Sequence, residues 1–290
     1  MNLSILVSTL ILFRRQGMYE ELTKDIRKDI MLTALKAGAG HVAPALSVVE
    51  ILAALYECIN VYNTNDPLYE ERDKVILSKG HASLALYSIL KRKDIISQEL
   101  LDSFCQPFSP LGGEPKLGEV PGIEASTGSL GHGLSFGVGI AMAHKINGDK
   151  NRVYVILGDG ECQEGSVWEA ALSAAHHKLD NLTVIIDYNH LQAMDDTEMI
   201  VSLGSLEDKW KSFGFHVSKV DGHNMETLIK VYKNDIDRKD GTPGLIIAET
   251  VKGKGISFME NVPIWHYRMP DSEEQVIANR ELGITEEDLR

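Results

Sequence analysis

The chain has 290 residues, 43% of them hydrophobic, with 29 Lys+Arg against 42 Asp+Glu and a net charge of −13. That is enough apolar material for one large domain or two small ones, while an acidic chain with scattered basic residues argues against nucleic acid as a partner. Any phosphate chemistry here calls for a metal ion, backbone amides and a few placed His or Lys. Cys58, Cys105 and Cys162 lie too far apart for a disulfide framework or a zinc spacing, which fits a reducing, cytoplasmic setting.

At the amino end, Leu3 to Phe13 is almost wholly apolar and is followed by Arg14-Arg15. The run is too short to span a bilayer, and its charge follows the apolar stretch where a signal peptide would carry it in front. The expectation is an extension over 1–17, poorly ordered or misassigned, with a true start at Met18 and no membrane role; membrane association is the alternative. One domain over 18–270 and a tail over 271–290 complete the division.

Leu22, Ile26, Ile30 and Leu35 fall near helical spacing in Tyr19–Lys36, and Ser47 is placed to cap a second helix through Cys58. After a turn at Asn63–Pro67, Lys74–Leu77 suits a buried strand, and Gly80-His81 turns into a helix towards Lys91. Phe104 to Glu124 is rich in Gly and Pro and reads as a long loop of the kind that is usually functional or disordered. From Thr127 to Lys145, repeated glycines in an apolar segment predict a helix packed very closely on its neighbours. Strands at Val153–Leu157, Leu182–Ile186, Phe215–Val220 and Leu245–Glu249 alternate with helices at Ser166–His177, before Phe213 and at Glu226–Arg238. Uniformly apolar strands alternating with helices predict an α/β fold, a parallel sheet covered by helices on both faces.

In such a fold, ligands bind at the carboxyl ends of the strands. One strand ends in Gly158-Asp159-Gly160 and the next in Asp187-Tyr188-Asn189, so Asp159 and Asn189 should meet. A carboxylate and an amide oxygen beside glycines suit a hard cation such as Mg²⁺ with a bound diphosphate. Alone, Gly-Asp-Gly is an ordinary tight turn; the strand, helix and strand filling the interval to Asn189 weaken that reading. A dinucleotide site is the competitor, but no G-x-G-x-x-G follows a strand, and the run Gly131–Gly137 is one residue too long.

The stretch GDGECQEGSVWEAALSAAHHKLDNLTVIIDYNHLQ (158–192) resembles the thiamine diphosphate motif, in the form that transketolases carry. Matching blocks are AGAGH (37–41), RDKVILSKGHA (72–82), PGIEASTGSLGHG (121–133) and ETVKGKGISFMENVPIWH (249–266). The resemblance reaches only the amino-terminal, diphosphate-binding half, as found in two-subunit transketolases. It implies a cofactor, thiamine diphosphate, with Mg²⁺ and Ca²⁺ or Mn²⁺ as alternatives. It also implies a carboxyl-terminal partner subunit supplying the pyrimidine-binding domain and the activating glutamate. Sugars or sugar phosphates would be the substrates, and the assembly a dimer of heterodimers, inactive without the partner.

Residue by residue, the resemblance gives the metal to Asp159, Asn189 and the backbone carbonyl of Leu191. His81 and His266 would reach the diphosphate or the reacting oxygens, and His41 would stabilise charge on the donor. Gly128 and Leu130 would meet the aminopyrimidine and Gly160 the diphosphate. Glu164 would lie near the subunit interface, and Asp187 near metal and cofactor. His144, His176, His177, His190, His216 and His223 read as solvated or core residues. Cys162, inside the metal-binding loop, reads as packing.

Two departures concern the substrate. Gly113-Glu114-Pro115 stands where many transketolases have Gly-His-Pro, and there a carboxylate would accept from hydroxyls and repel an anion. Glu114 is therefore expected to select the donor, unless the loop takes another course and leaves it solvated. Tyr267 stands where glycine commonly follows the histidine. The competing functions are another thiamine diphosphate enzyme, either deoxyxylulose phosphate synthase-like or a 2-oxo acid decarboxylase, and a non-catalytic cofactor-binding subunit.

Overall fold

The computed structural model describes residues 3–58 and 72–289, the side chains of 3–15 and 58 excepted. The turn expected at Asn63–Pro67 lies outside the described residues. β1 (Lys74–Leu77), β2 (Val153–Gly158), β3 (Leu182–Tyr188), β4 (His216–Asp221) and β5 (Gly244–Glu249) form one sheet in the order β1-β2-β3-β5-β4, every pairing parallel. The helices are α1 (Leu3–Ala37), α2 (Val42–Ser47), α3 (Val49–Cys58), α4 (Ser83–Arg92), α5 (Gln98–Asp102), α6 (His132–Asn147), α7 (Gly165–His176), α8 (Thr197–Ile200), α9 (Leu206–Ser212), α10 (Met225–Asp237) and α11 (Ser272–Leu282).

The apolar strands alternate between two cores. Tyr154, Ile156 and Ile185 point into one, packed with α1 to α5, α10 and α11. Val155, Leu157, Val184 and Ile186 point into the other, under α6, α7 and α9. A strand with both faces covered has no solvent side to make polar, so its sequence is continuously hydrophobic. All strand carboxyl ends then share one edge.

Three expectations are corrected. Ser47 ends α2, and its single hydroxyl proton is shared between Asp187 Oδ2 at 2.7 Å and Pro44 O at 2.9 Å, so it does not serve as an amino cap. The glycine-rich helix begins at His132, five residues later than expected, because Gly128 and Gly131 take φ of +119° and +84°. Its close packing is real: a Cβ on Gly137 would lie 2.4 Å from Val155 Cγ2. Residues 271–290, read as a tail, contain α11, which has a capping box at Asp271 and Glu274 and buries Ala278 and Leu282 in the first core.

Candidate active site

β2 and β3 pair with Gly158 opposite Asp187, so the loops leaving them run side by side. Asp159, 2% exposed, knits those loops together. Its Oδ1 accepts from Gly160 N at 2.8 Å, and its Oδ2 accepts from His190 N at 2.7 Å and Thr197 Oγ1 at 3.3 Å. His190 sits at φ +64° and reverses the chain between Asn189 and Leu191. Asn189 Nδ2 donates to Asp187 Oδ2 at 2.9 Å while its Oδ1 accepts from Leu191 N at 3.0 Å, which fixes which end of the amide is oxygen. Asp159 from the loop after β2 and Asn189 and Leu191 from the loop after β3 are thus brought to one cavity.

The two buried aspartates differ. Burial alone would raise the Asp187 pKa, but the Lys79 ammonium, paired with Oδ2 at 2.5 Å, and the hydroxyls of Thr250 and Ser47 hold it below the ordinary range. Asp159 meets only amide and hydroxyl donors; burial first, and the Asp187 charge second, push it up to about 6. A buried carboxylate short of positive charge, beside two neutral oxygens, could hold a hard cation. Among the described residues no group of three His, Cys, Asp or Glu is arranged for a metal; this set escapes that pattern because two of its three oxygens are an amide and a carbonyl.

The cationic side comes from the ends of β1 and β5. Lys79 and Lys252 are buried, and Lys252 Nζ donates to Gln192 O at 2.7 Å and Leu191 O at 3.4 Å. It also meets His266 Nδ1 at 2.9 Å. When Lys252 is an ammonium it can only donate, so in that state Nδ1 accepts and the His266 proton sits on Nε2. Burial, then repulsion from Lys79, draws the Lys252 pKa down to about 7.

His41, His81 and His266 form a triangle with ring centroids 5.1 to 5.4 Å apart. Burial and then the nearby lysines lower His41 to about 4; burial, then Lys252, lowers His266 to about 3; burial, then Lys79, takes His81 well below its usual value. All three are neutral at pH 7 and serve as hydrogen-bonding groups. His41 Nδ1 and Gln192 Nε2 are buried without a hydrogen-bond partner, two polar atoms awaiting a ligand.

A cavity of about 310 Å³ collects these groups. His41, His81, His266, Gly128, Leu130, Asp159, Gly160, Glu164, Asn189 and Leu191 all line it, and so does Glu114. Asp187 alone of the expected residues does not; it lies beneath the floor and acts through Lys79 and Asn189. Glu164 is exposed at the start of α7. The Glu114 carboxylate rests on Gly128, where an added Cβ would come 2.2 Å from Oε2. Tyr267 is 62% exposed, with its ring 4.5 Å from that of His41.

Sequence reasoning missed Lys79, Lys252 and Glu161. Glu161 accepts from Ser78 Oγ at 2.5 Å and Gly131 N at 2.9 Å with one oxygen, and from Gly158 N at 3.1 Å with the other. It therefore ties the ends of β1 and β2 to the start of α6. A lysine or glutamate in a chain rich in both carries no signal of burial. The available signal was adjacency, since Lys79 directly precedes Gly80-His81 and Lys252 lies in the Lys-Gly-Lys-Gly run. Cys162 is fully buried, and burial pushes its thiol far up, in keeping with packing.

Residues 19–288 match the family described as transketolase, thiamine diphosphate binding domain. The chain is 44% identical over 257 residues to an apulose-4-phosphate transketolase subunit of Phocaeicola vulgatus, covering 89% of this chain and 91% of that one. It is 42% identical over 235 residues to the 6-deoxy-6-sulfo-D-fructose transketolase subunit SqwG of a Clostridium species, covering 81% and 85%. Against the transketolase of Homo sapiens it is 35% identical over 248 residues, 84% of this chain but 39% of that one. The crystal structure of transketolase from Campylobacter jejuni superposes with a TM-score of 0.84 at 30% identity, over 91% of this chain and 42% of that one.

Proposed function

The chain belongs to the transketolase family, as its thiamine diphosphate-binding half, and from that premise we propose how its strand-edge cavity works. Asp159 Oδ2, Asn189 Oδ1 and the Leu191 carbonyl would hold a divalent cation, Mg²⁺ in the first instance, which anchors the diphosphate. Lys252, His81, His266 and the backbone at Gly160 would bind its remaining oxygens, and Gly128 with Leu130 would face the aminopyrimidine. Bound there, thiamine diphosphate supplies the nucleophilic carbon that carries a two-carbon ketol unit from a ketose to an aldose. His41, His81 and His266, all neutral, donate or accept single hydrogen bonds at the substrate hydroxyls and the developing alkoxide, without fixing a charge there. The observation that carries this reading is the meeting of an oxygen donor set short of charge with two buried lysines in one cavity.

The glutamate that activates the aminopyrimidine belongs, in this reading, to a second polypeptide, and the working enzyme is a dimer of heterodimers. Support comes from relatives: two that this chain matches over 91% and 85% of their own length are named as transketolase subunits. The donor is a ketose phosphate or a related sugar, with Glu114 on the cavity wall helping to select it. We place it in the cytoplasm: among the described residues no helix is long and apolar enough to cross a membrane, and Cys105 and Cys162 are free thiols.

The test is a calorimetric titration of the reconstituted pair with thiamine diphosphate and Mg²⁺. Asp159→Ala should weaken binding by about 100-fold, since it removes the only charged ligand proposed for the ion. Binding within threefold of wild type would sink the assignment. Assayed alone with cofactor, Mg²⁺ and several ketoses, the chain should show no turnover; robust activity without a second polypeptide would refute the two-subunit reading.

A further inference from the structure

Behind Lys252, on the side away from the cavity, lies a buried polar cluster that the proposed chemistry does not use. Arg27 of α1 makes a two-pronged pair with Glu50 of α3, Nη1 to Oε1 at 2.6 Å and Nη2 to Oε2 at 2.7 Å. Glu50 Oε2 also meets His223 Nδ1 at 2.8 Å, and His223 Nε2 lies 2.8 Å from Val251 N. A backbone N–H can only donate, so Nε2 accepts, the ring proton sits on Nδ1, and His223 donates it to Glu50. Arg27 Nε donates in addition to Lys254 O at 2.9 Å. Two side chains, Arg27 and His223, joined through Glu50, thus hold the backbone at Lys254 and Val251, on either side of Lys252.

Backbone contacts hold the same segment. Thr250 N donates to Tyr188 O at 3.1 Å and Gly253 N to Ala43 O at 3.0 Å. Between these ties only the Lys252 side chain is left to reach forward, to Gln192 O, Leu191 O and His266 Nδ1. A lysine has four rotatable bonds, so where its amine stands is decided by where its backbone is held and by the walls around its stem.

We propose that His223 is a positioning residue: through the Arg27–Glu50–His223 clamp it sets the backbone at Val251 and thereby places Lys252 Nζ for the diphosphate. This rests on the diphosphate reading of the cavity. The clamp acts from outside the site, since none of its three side chains lines the cavity. The imidazole suits the task because it spans two partners of opposite need, a carboxylate that requires a donor and an amide that requires an acceptor, at a fixed separation.

Two substitutions divide those roles. In His223→Asn the side-chain amide can still donate to Glu50 but cannot reach Val251 N; in His223→Gln the longer side chain can accept from Val251 N and gives up Glu50. Each variant, reconstituted with the partner chain, is titrated with inorganic pyrophosphate and Mg²⁺, and amide exchange at Val251 is followed. His223→Asn should lose about tenfold in pyrophosphate affinity and exchange Val251 faster, while His223→Gln should lose threefold or less. In a Lys252→Met background, adding His223→Asn should cost nothing further, because the group it positions is gone. Equal losses in the two variants, or an undiminished loss in the Lys252→Met background, would overturn the positioning role while leaving the diphosphate reading intact. Failure of the wild-type pair to bind pyrophosphate would overturn that reading, and the clamp's function with it.

Discussion

The two halves of the sheet's carboxyl edge are built by different means. Where β2 and β3 end, the functional atoms lie on short turns and are held by near neighbours: Asp159 binds His190 N, and Asn189 binds Leu191 N two residues on. Where β4 and β5 end, Lys252 is placed by Glu50 and Arg27, more than 170 positions away from His223 in the chain. In the proposed reading the first region would supply oxygens for a cation and the second an ammonium, that of Lys252, for a phosphate. A metal site can be assembled from local turns because its ligands are short side chains and carbonyls. A buried lysine needs a scaffold, since its stem is flexible and its charge must be compensated from several directions.

The first region carries a buried ion pair of its own, Lys79 with Asp187, and breaking it should have the largest effect. Lys79→Met leaves the Asp187 carboxylate buried without a cation, which should cost about 3–5 kcal/mol in denaturant unfolding. The double variant Lys79→Met/Asp187→Asn should regain much of that. A single-variant loss below about 1 kcal/mol would show that the hydroxyl donors carry the charge by themselves.

The long-range support of the second half has a pH signature. Although burial opposes it, Arg27 and then His223 hold the Glu50 pKa at about 2, against an ordinary 4.5. A carboxylate with a depressed folded pKa stabilises above its unfolded value and loses that contribution as pH falls from 4.5 towards 2. The window is worth about 3 kcal/mol at most. In Glu50→Gln, less stable at neutral pH, the fall of melting temperature between pH 4.5 and 2 should be visibly shallower. An unaltered acid limb would assign that limb to other carboxylates.

Smaller effects are expected where loops cover the edge. Glu114→His should change the ratio of kcat/KM between ketose phosphate donors by about tenfold in favour of ordinary ketose phosphates, with cofactor affinity nearly unchanged, because a polar mismatch at a substrate hydroxyl is felt in specificity. Glu114 is exposed at the cavity wall, and an unchanged ratio would mean that it makes no contact with the donor. Tyr267→Gly removes the ring beside His41 and should raise the donor KM by about threefold while kcat stays close to wild type. A loss confined to kcat would instead mean that the ring holds His41 in its reacting position.

The meeting of Asp159 with Asn189 was legible before the fold was seen because each follows the end of an apolar strand, and strand ends in a parallel sheet converge. Asp159 and Asn189 needed no more than two strands and the helix between them. Lys79, Lys252 and Glu161 were illegible because burial is a property of the folded chain: exposed lysines and glutamates have the same sequence appearance. His223 was read as an ordinary core or solvated histidine, since its partners are Glu50 and the Val251 amide, neither near it in sequence. The start of α6 was misplaced because apolar periodicity does not reveal which glycines adopt positive φ. Residues 271–290 were read as a tail because the apolar residues that dock them, Ala278 and Leu282, are sparse in an acidic stretch.

By itself, then, the sequence determined the α/β alternation, the parallel sheet and the place of the oxygen donors, since hydrophobic periodicity and strand-end turns are local properties carried by neighbouring residues. Only the tertiary structure decided which charges are buried, which aspartate is compensated and which is left short of a cation, and how a histidine on one strand end holds the lysine of the next. Those outcomes depend on desolvation and on hydrogen bonds between segments far apart in the chain, and both come into existence only when the chain has folded.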